Sequence, residues 1–200
     1  MAETVITAAP QIEPVTLAEA RTHLRIDDDN TADDALIAVL IAAAREQCEH
    51  ETGRRLITQT REMVLDAFPC SGESIRLHAD CFKAQAIESI TYLDTGGVWQ
   101  TVDSATYALD PHSLPGYAFP ADGAAWPADV ADSANAVRIK VVCGYGSATT
   151  DVPQALRQWM LMQIGAMYVQ RETFAVGASV AELPTRIVDR LLDPYRVFSI

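Results

Sequence analysis

The chain has 200 residues, 49% of them hydrophobic, and carries 27 acidic against 15 basic side chains for a net charge of −12. That length suits one domain, or a small domain carrying an inserted one. The charge argues against a protein that grips nucleic-acid phosphates electrostatically, and no run of 18 apolar residues exists to span a bilayer as a helix.

The acidic excess is uneven. Residues 1–56 hold 11 acids and 5 bases, residues 57–150 the same, and residues 151–200 hold 5 of each. Protein contacts are therefore expected in the neutral C-terminal third. Cys48, Cys70, Cys81 and Cys143 are scattered without a CxxC pair. No signal-peptide pattern opens the chain, so the thiols are expected to be reduced and the compartment cytoplasmic.

In chain order, residues 1–14, with Pro10 and Pro14, read as a loose or extended arm. Thr16-Leu-Ala-Glu19 is a capping box that opens a short helix from Leu17 to Leu24. Asp33 is placed to cap a second helix from Asp34 to Thr52, and Gly53 to end it in the left-handed conformation. Leu36, Ile37, Leu40, Ile41, Ala44 and Cys48 form its apolar stripe, with Arg45, Glu46, Glu49 and Glu51 on the wet side. From Leu56 the period changes to two. Strands are expected at 57–65, 74–77, 86–93, 98–102 and 136–143, with a further short one at 107–109. Thr95-Gly96-Gly97 reads as a hairpin turn, and the Pro-rich stretch 110–135 as a long irregular connection.

The most apolar segment follows Asp151-Val152-Pro153. Leu156, Met160, Ile164, Met167 and Tyr168 recur at helical spacing over 154–172, and Trp159, Leu161, Met162 and Val169 widen the stripe. A helix apolar almost all round is expected to be buried on several sides, with Asp151 as its cap. A loop with Gly177 leads to a last helix, 183–192, stopped by Pro194. The fold class is thus α+β. Two N-terminal and two C-terminal helices form a core over 16–57 and 147–200, 58–146 is an inserted small antiparallel β-domain, and 1–15 is an arm.

Candidate chemistry is sparse. His78, Asp80 and Cys81 stand together in a β-region loop and are the one cluster a hydrolase or metal enzyme could use. Cys48 and His50, at i and i+2, point apart on a helix. Asp27-Asp28-Asp29-Asn30 with Asp33 and Asp34 has the composition of a calcium loop but lacks its spacing, its Gly and its closing Glu. Gly144-Tyr145-Gly146-Ser147 lacks the Lys of a phosphate loop and reads as a bend from strand into helix. Arg54 and Arg55 read as surface ion-pair partners. No nucleophile, base and oxyanion-donor set can be assembled, and no cofactor is expected.

Four stretches carry a family resemblance. They are Thr16-Leu-Ala-Glu-Ala-Arg-Thr-His-Leu-Arg-Ile26, Asp33-Asp-Ala-Leu-Ile to Gly53-Arg-Arg-Leu-Ile-Thr-Gln-Thr60, Gly144-Tyr-Gly146 with Val152-Pro153 and the helix to Glu172, and Glu182-Leu-Pro184 to Leu191-Leu-Asp-Pro-Tyr-Arg196. In this order they resemble the head–tail connector (adaptor) proteins of tailed bacteriophages and gene-transfer agents. The resemblance covers most of the helical part; the β-insert matches only loosely.

The resemblance implies a non-enzymatic virion component, assembled in the bacterial cytoplasm. It would form a homo-oligomeric ring, typically of twelve copies, below the portal protein. The ring would extend the DNA channel without sequence-specific binding and present a surface to a tail-side stopper or tail terminator. It further implies a portal-docking segment at Leu191, Leu192, Tyr195, Arg196, Val197 and Phe198. The loop carrying Phe174, Val176 and Val180 is apolar for a loop and is expected to be covered by a neighbour in the ring. The rival readings are an enzyme using His78, Asp80 and Cys81, and a cytoplasmic module whose β-domain binds a small ligand or peptide.

Overall fold

A computed structural model describes residues 4–27, 29–70, 72–78, 81–170 and 188–197. Its contacts divide the chain into two compact units, Met1–Pro10 with Thr58–Tyr145 and Gln11–Ile57 with Gly146–Ile200. In chain order the elements are β1 (Val5–Ala8), α1 (Leu17–Leu24), α2 (Asp34–Thr52), β2 (Gln59–Leu65), β3 (Ile75–Arg76), β4 (Ala84–Leu93), β5 (Trp99–Thr101), β6 (Tyr107–Asp110), β7 (Tyr117–Pro120), β8 (Val137–Cys143) and α3 (Gln154–Val169). Helices and antiparallel sheets together make the α+β class expected from the sequence.

In the helical unit, α1 opens on its capping box. Thr16 Oγ1 accepts the Glu19 N–H at 3.2 Å, and Glu19 Oε2 accepts the Thr16 N–H at 2.9 Å. α2 packs against α3, and α1 packs against both. Ile37, Ile41, Ala44 and Cys48 are the fully covered positions of the α2 stripe, while Leu36 and Leu40 are half-buried. Gly53 ends α2 at φ +67°, the left-handed cap its missing Cβ permits.

Three expectations are corrected here. Asp33 makes no side-chain cap to α2; its carboxylate instead accepts the Tyr168 hydroxyl from the far end of α3. Asp151 does not cap α3 either. Its carboxylate accepts the Ala148 N–H at 2.9 Å and closes the 3-10 turn Thr149–Asp151 that precedes the helix. Glu49, placed on the wet side by its charge, is buried.

α3 is covered along one side by Leu156, Trp159, Met160 and Ile164. The burial is narrower than the all-round apolar pattern implied: Leu161, Met162, Met167 and Tyr168 are half-buried, and Val169 is exposed. Each fully covered large side chain contributes about 1.5–3 kcal/mol, so the helix still anchors its unit. Arg157 ties its first turn to the chain before α1 and to the first turn of α1, donating to the Pro14 carbonyl at 3.0 Å and to the Glu19 carboxylate. Of the expected last helix, 183–187 lie outside the described residues; Val188 and Asp189 are helical, and a 3-10 turn follows at Asp193–Tyr195.

The β unit holds a five-stranded sheet in the order β1-β2-β8-β4-β5 and a three-stranded sheet in the order β3-β7-β6, every pair antiparallel. β8 alternates cleanly, with Val137, Ile139, Val141 and Cys143 covered and Arg138 exposed. They share a core with Met63, Ile75, Leu77, Ile90 and Trp126. The hairpin between β4 and β5 forms at the expected turn, where Asp94 Oδ1 accepts the Gly96 and Val98 N–H groups at 2.9 Å each.

Two strands were not expected. The N-terminal stretch is extended but not loose, because β1 pairs with β2 (Val5 opposite Glu62) and the buried Arg61 donates to the Thr4 hydroxyl at 2.9 Å and carbonyl at 3.1 Å. Within the Pro-rich connection, β7 pairs with both β3 and β6, its Pro120 standing at the strand end where a missing N–H is tolerated.

Candidate functional site

The end of α2 and the last described residues of the chain form one assembly in the helical unit. Gly53 turns the backbone sharply, which lets the carboxylate of Glu49 reach the chain that leaves the helix. Glu49 Oε1 accepts the Leu56 N–H at 2.9 Å, and Oε2 lies 3.3 Å from Arg55 and 3.5 Å from Arg45. Arg45 also reaches Glu13 at 2.9 Å. The neighbouring Arg54 faces the other way. Its Nε donates to the Tyr195 carbonyl at 2.5 Å, and its guanidinium carbon lies 5.6 Å from the centre of the Tyr195 ring.

The C-terminal segment is seated by three further contacts. Leu192 is fully buried, and its carbonyl accepts the Tyr195 and Arg196 N–H groups at 2.8 and 3.1 Å. The Val197 N–H donates to the Thr52 carbonyl at 3.0 Å, satisfying one of the acceptors that a helix end leaves open. Arg196 bridges Glu51 at 3.3 Å and Asp193 at 3.4 Å.

The residues expected to dock on a partner therefore divide. Tyr195, Arg196 and Val197 are half-buried and sit together at the α2 end, with Leu191 also half-buried. Leu192 is core: its side chain is enclosed by its own unit and is not presented outward. Phe198 lies outside the described residues, as do Phe174, Val176 and Val180. Glu49, Arg45 and Thr52 were missed in the sequence. The i, i+4 spacing of Arg45 and Glu49 was the available signal, but the Leu56 amide that draws the carboxylate inward is set by the turn at Gly53.

The chemical candidates come apart. Cys81 is buried in the β-unit core and donates its N–H to the His78 carbonyl at 2.9 Å, a local turn, while Asp80 lies outside the described residues. Among the described residues no group of three His, Cys, Asp or Glu side chains stands together as a metal set. Burial, and then the charges of Glu49 and Glu51, push the Cys48 thiol up to about 12, where it is inert. The acidic loop before α2 is engaged locally: Arg21 bridges Asp34 at 2.6 Å, and Asn30 Oδ1 accepts the Ala32 N–H at 3.2 Å. At Gly146 a Cβ would stand 2.1 Å from an Asp151 carboxylate oxygen, so the close approach of that turn requires glycine there.

In the β unit an open cleft of about 650 Å³ is lined by residues that include Ser74, Asp110, His112, Tyr117 and Phe119. Asp110 is engaged within its own turn. The Ser113 hydroxyl, then the His112 amide, hold its carboxyl below the usual range.

Comparison with known proteins adds the following. Residues 14–77 match the family of phage gp6-like head–tail connector proteins. No curated protein matches the chain. Among solved structures, a chain from the neck of an empty gene transfer agent particle computed with C6 symmetry is 23% identical, with a TM-score of 0.78 over 99% of this chain and 97% of that one. A chain from the virion of a native gene transfer agent particle is 21% identical, with a TM-score of 0.73 over 98% and 96%. A third, from the neck of a native particle computed with C12 symmetry, is 21% identical, with a TM-score of 0.72 over 100% and 97%. The likeness to head–tail connectors read from the sequence thus reappears in the family match over α1, α2, β2 and β3. The fold likeness runs over nearly the whole length and includes the β unit.

Proposed function

We propose that this protein is a structural head–tail connector. Copies of it form a ring in the neck of a phage or gene-transfer-agent particle, below the portal, and continue the DNA path toward the tail. The observation that carries the reading is the end-to-end fold likeness to neck chains of gene transfer agent particles, at a TM-score of 0.78 over 99% of this chain. The gp6-like match over residues 14–77 supports it independently. The role is assembly, not catalysis.

The physical chemistry agrees with that role. An acidic surface lets a polyanion slide without a sticky phosphate site. The segment held at the α2 end, Leu191, Tyr195, Arg196 and Val197, brings aromatic, cationic and apolar side chains together on the helical unit, the mixture that anchors interfaces. In this reading that segment, continuing through Phe198, docks on the portal, and a tail-side stopper or tail terminator meets another face.

Affinity purification of the tagged full chain under particle-producing conditions, with mass spectrometry of what accompanies it, tests the reading. Portal, capsid and tail proteins at near-stoichiometric levels are the expected result. Recovery of the protein alone, or with metabolic enzymes only, overturns it.

A further inference from the structure

We propose that β1 and β5, the two edges of the five-stranded sheet, are complementary halves of an inter-subunit ladder, the β1 edge of one copy pairing with the β5 edge of the next. The inference rests on the ring reading above. A closed ring of more than two copies needs two unlike surfaces that meet head to tail, and a sheet with two open edges supplies such a pair.

Among the described residues no further strand pairs with either edge, and both strands are short, with a register shift in β1 between Ile6 and Ala8. Edges are normally blunted by charges, prolines or a covering element. β1 is Val-Ile-Thr-Ala and β5 is Trp-Gln-Thr, with no charge and no proline in either. Val5 and Ile6 are 63% and 49% exposed, although neighbouring residues point to opposite faces, and Trp99 is 43% exposed. Asp94 donates to the Val98 carbonyl at 2.9 Å, and Val102 donates to the Ile90 carbonyl at 2.9 Å. By antiparallel alternation, Trp99 and Thr101 then turn their own N–H and C=O groups outward, away from β4.

The registers make the two edges compatible. Four antiparallel steps separate β1 from β5, so the two strands run in the same direction and the ladder between copies is parallel. Val5 stands opposite Glu62, and Glu62 opposite Lys140. Thr101 stands opposite Thr91, and Thr91 opposite Arg138. Val5 and Thr101 therefore share a face, and Trp99 lies on it as well, its ring 4.1 Å from the Arg138 guanidinium carbon. Across the junction an aliphatic β-branched side chain meets an aromatic one, a favoured cross-strand pairing.

The edges are also staggered. Ile6 is level with Val141 through Arg61, and Gln100 is level with Val137 through Tyr92. That offset of four residues is about 13 Å, against a sheet width of about 24 Å for five strands. Copies joined edge to edge then hold their strands tilted by about 30° to the ring axis, close to the roughly 35–45° that closed sheets adopt. With the C12 symmetry of the native neck, the sheet ring has a radius of about 50 Å.

The test uses the full chain in particles. Cys70 is the exposed cysteine, so Cys70→Ser removes the background thiol. Ile6→Cys and Gln100→Cys are added together, both on the same face of the sheet, and purified particles are treated with a short bis-maleimide. A ladder of covalent multimers beyond the dimer is expected from the double variant, and none from either single variant. Particles that carry the double variant at wild-type occupancy yet release only monomer overturn the proposal while leaving the connector reading intact. If that pair fails to incorporate, Val5→Cys with Thr101→Cys gives the same readout on the opposite face. Absence of the wild-type chain from particles defeats the connector reading itself, and this inference with it.

Discussion

Glu49 and Leu56, seven residues apart, are joined side chain to backbone: the buried carboxylate accepts the Leu56 N–H at 2.9 Å across the left-handed turn at Gly53. Arg55 and Arg45 flank the same carboxylate. Removing it leaves a buried amide unsatisfied and two guanidinium groups without that partner. Glu49→Ala is expected to lower stability by about 2–3 kcal/mol, read as a shift of the urea midpoint at constant slope. Glu46→Ala removes the same charge from an exposed position one turn earlier and should stay within about 0.5 kcal/mol. Equal effects from the two variants would show that charge, not the link to Leu56, is what matters.

The four thiols should react very unequally. Cys48, Cys81 and Cys143 are buried, and Cys70 is exposed. With the Cys48 thiol pushed up to about 12, its thiolate fraction at pH 8 is about one in ten thousand. A chromogenic disulfide reagent is expected to titrate one thiol in the native protein, lost in Cys70→Ser, and four in denaturant. Fast labelling of Cys48 in the native state would contradict the burial of the α2 stripe.

Acid should loosen the start of α1. Desolvation raises the Glu19 carboxyl, but the Thr16 amide, the Arg157 side chain and the Thr16 hydroxyl outweigh it, and the net direction is downward from 4.5. A carboxyl lowered by folding contributes stability that is present above its unfolded value and lost as the pH falls through the lower folded one. Melting temperature is expected to hold above pH 5 and to fall below about pH 4.5, with Glu19→Gln flattening that fall. The effect is modest, because the side chain is partly exposed and solvent screens it. An unchanged acid slope in Glu19→Gln would assign the acid loss to other carboxylates.

How much of this was legible in the sequence depended on how local the signal was. The bounds of α1 and α2 follow from Thr16, Glu19 and Gly53, whose effects act within four residues, and both helices lie where those residues put them. β8 was legible because Val137, Ile139 and Val141 alternate with Arg138 and Lys140. β1 and β7 were not: Pro10, Pro14, Pro111, Pro115 and Pro120 made both stretches read as irregular chain, and each strand exists because a distant strand pairs with it. Asp33 and Asp151 carried the right residue type for a cap, but the Tyr168 hydroxyl from the far end of α3 and the Ala148 amide in the 3-10 turn before α3 take their carboxylates instead. Charge alone placed Glu49 outside, and only a tertiary turn brings it in. The C-terminal seat at Arg54 was invisible for the same reason, since 141 residues separate it from Tyr195.

That seat gives the most direct functional prediction. Ending the chain after Asp193 keeps Val188 and Leu192, the buried part of the segment. It removes the Arg54 bond to the Tyr195 carbonyl, the Val197 bond to Thr52 and the Arg196 bridge to Glu51. These groups are half-exposed, so the expected stability loss is about 1–2 kcal/mol, a drop of a few degrees in melting temperature with the helical circular dichroism retained. If the segment docks on the portal, occupancy of the truncated chain in particles falls to background. Arg54→Ala, which loosens the seat without removing any docking side chain, lowers occupancy only partly. A truncated chain that enters particles at wild-type level would place the portal contact elsewhere on the helical unit, and the Tyr195 carbonyl bond to Arg54 would then serve stability alone.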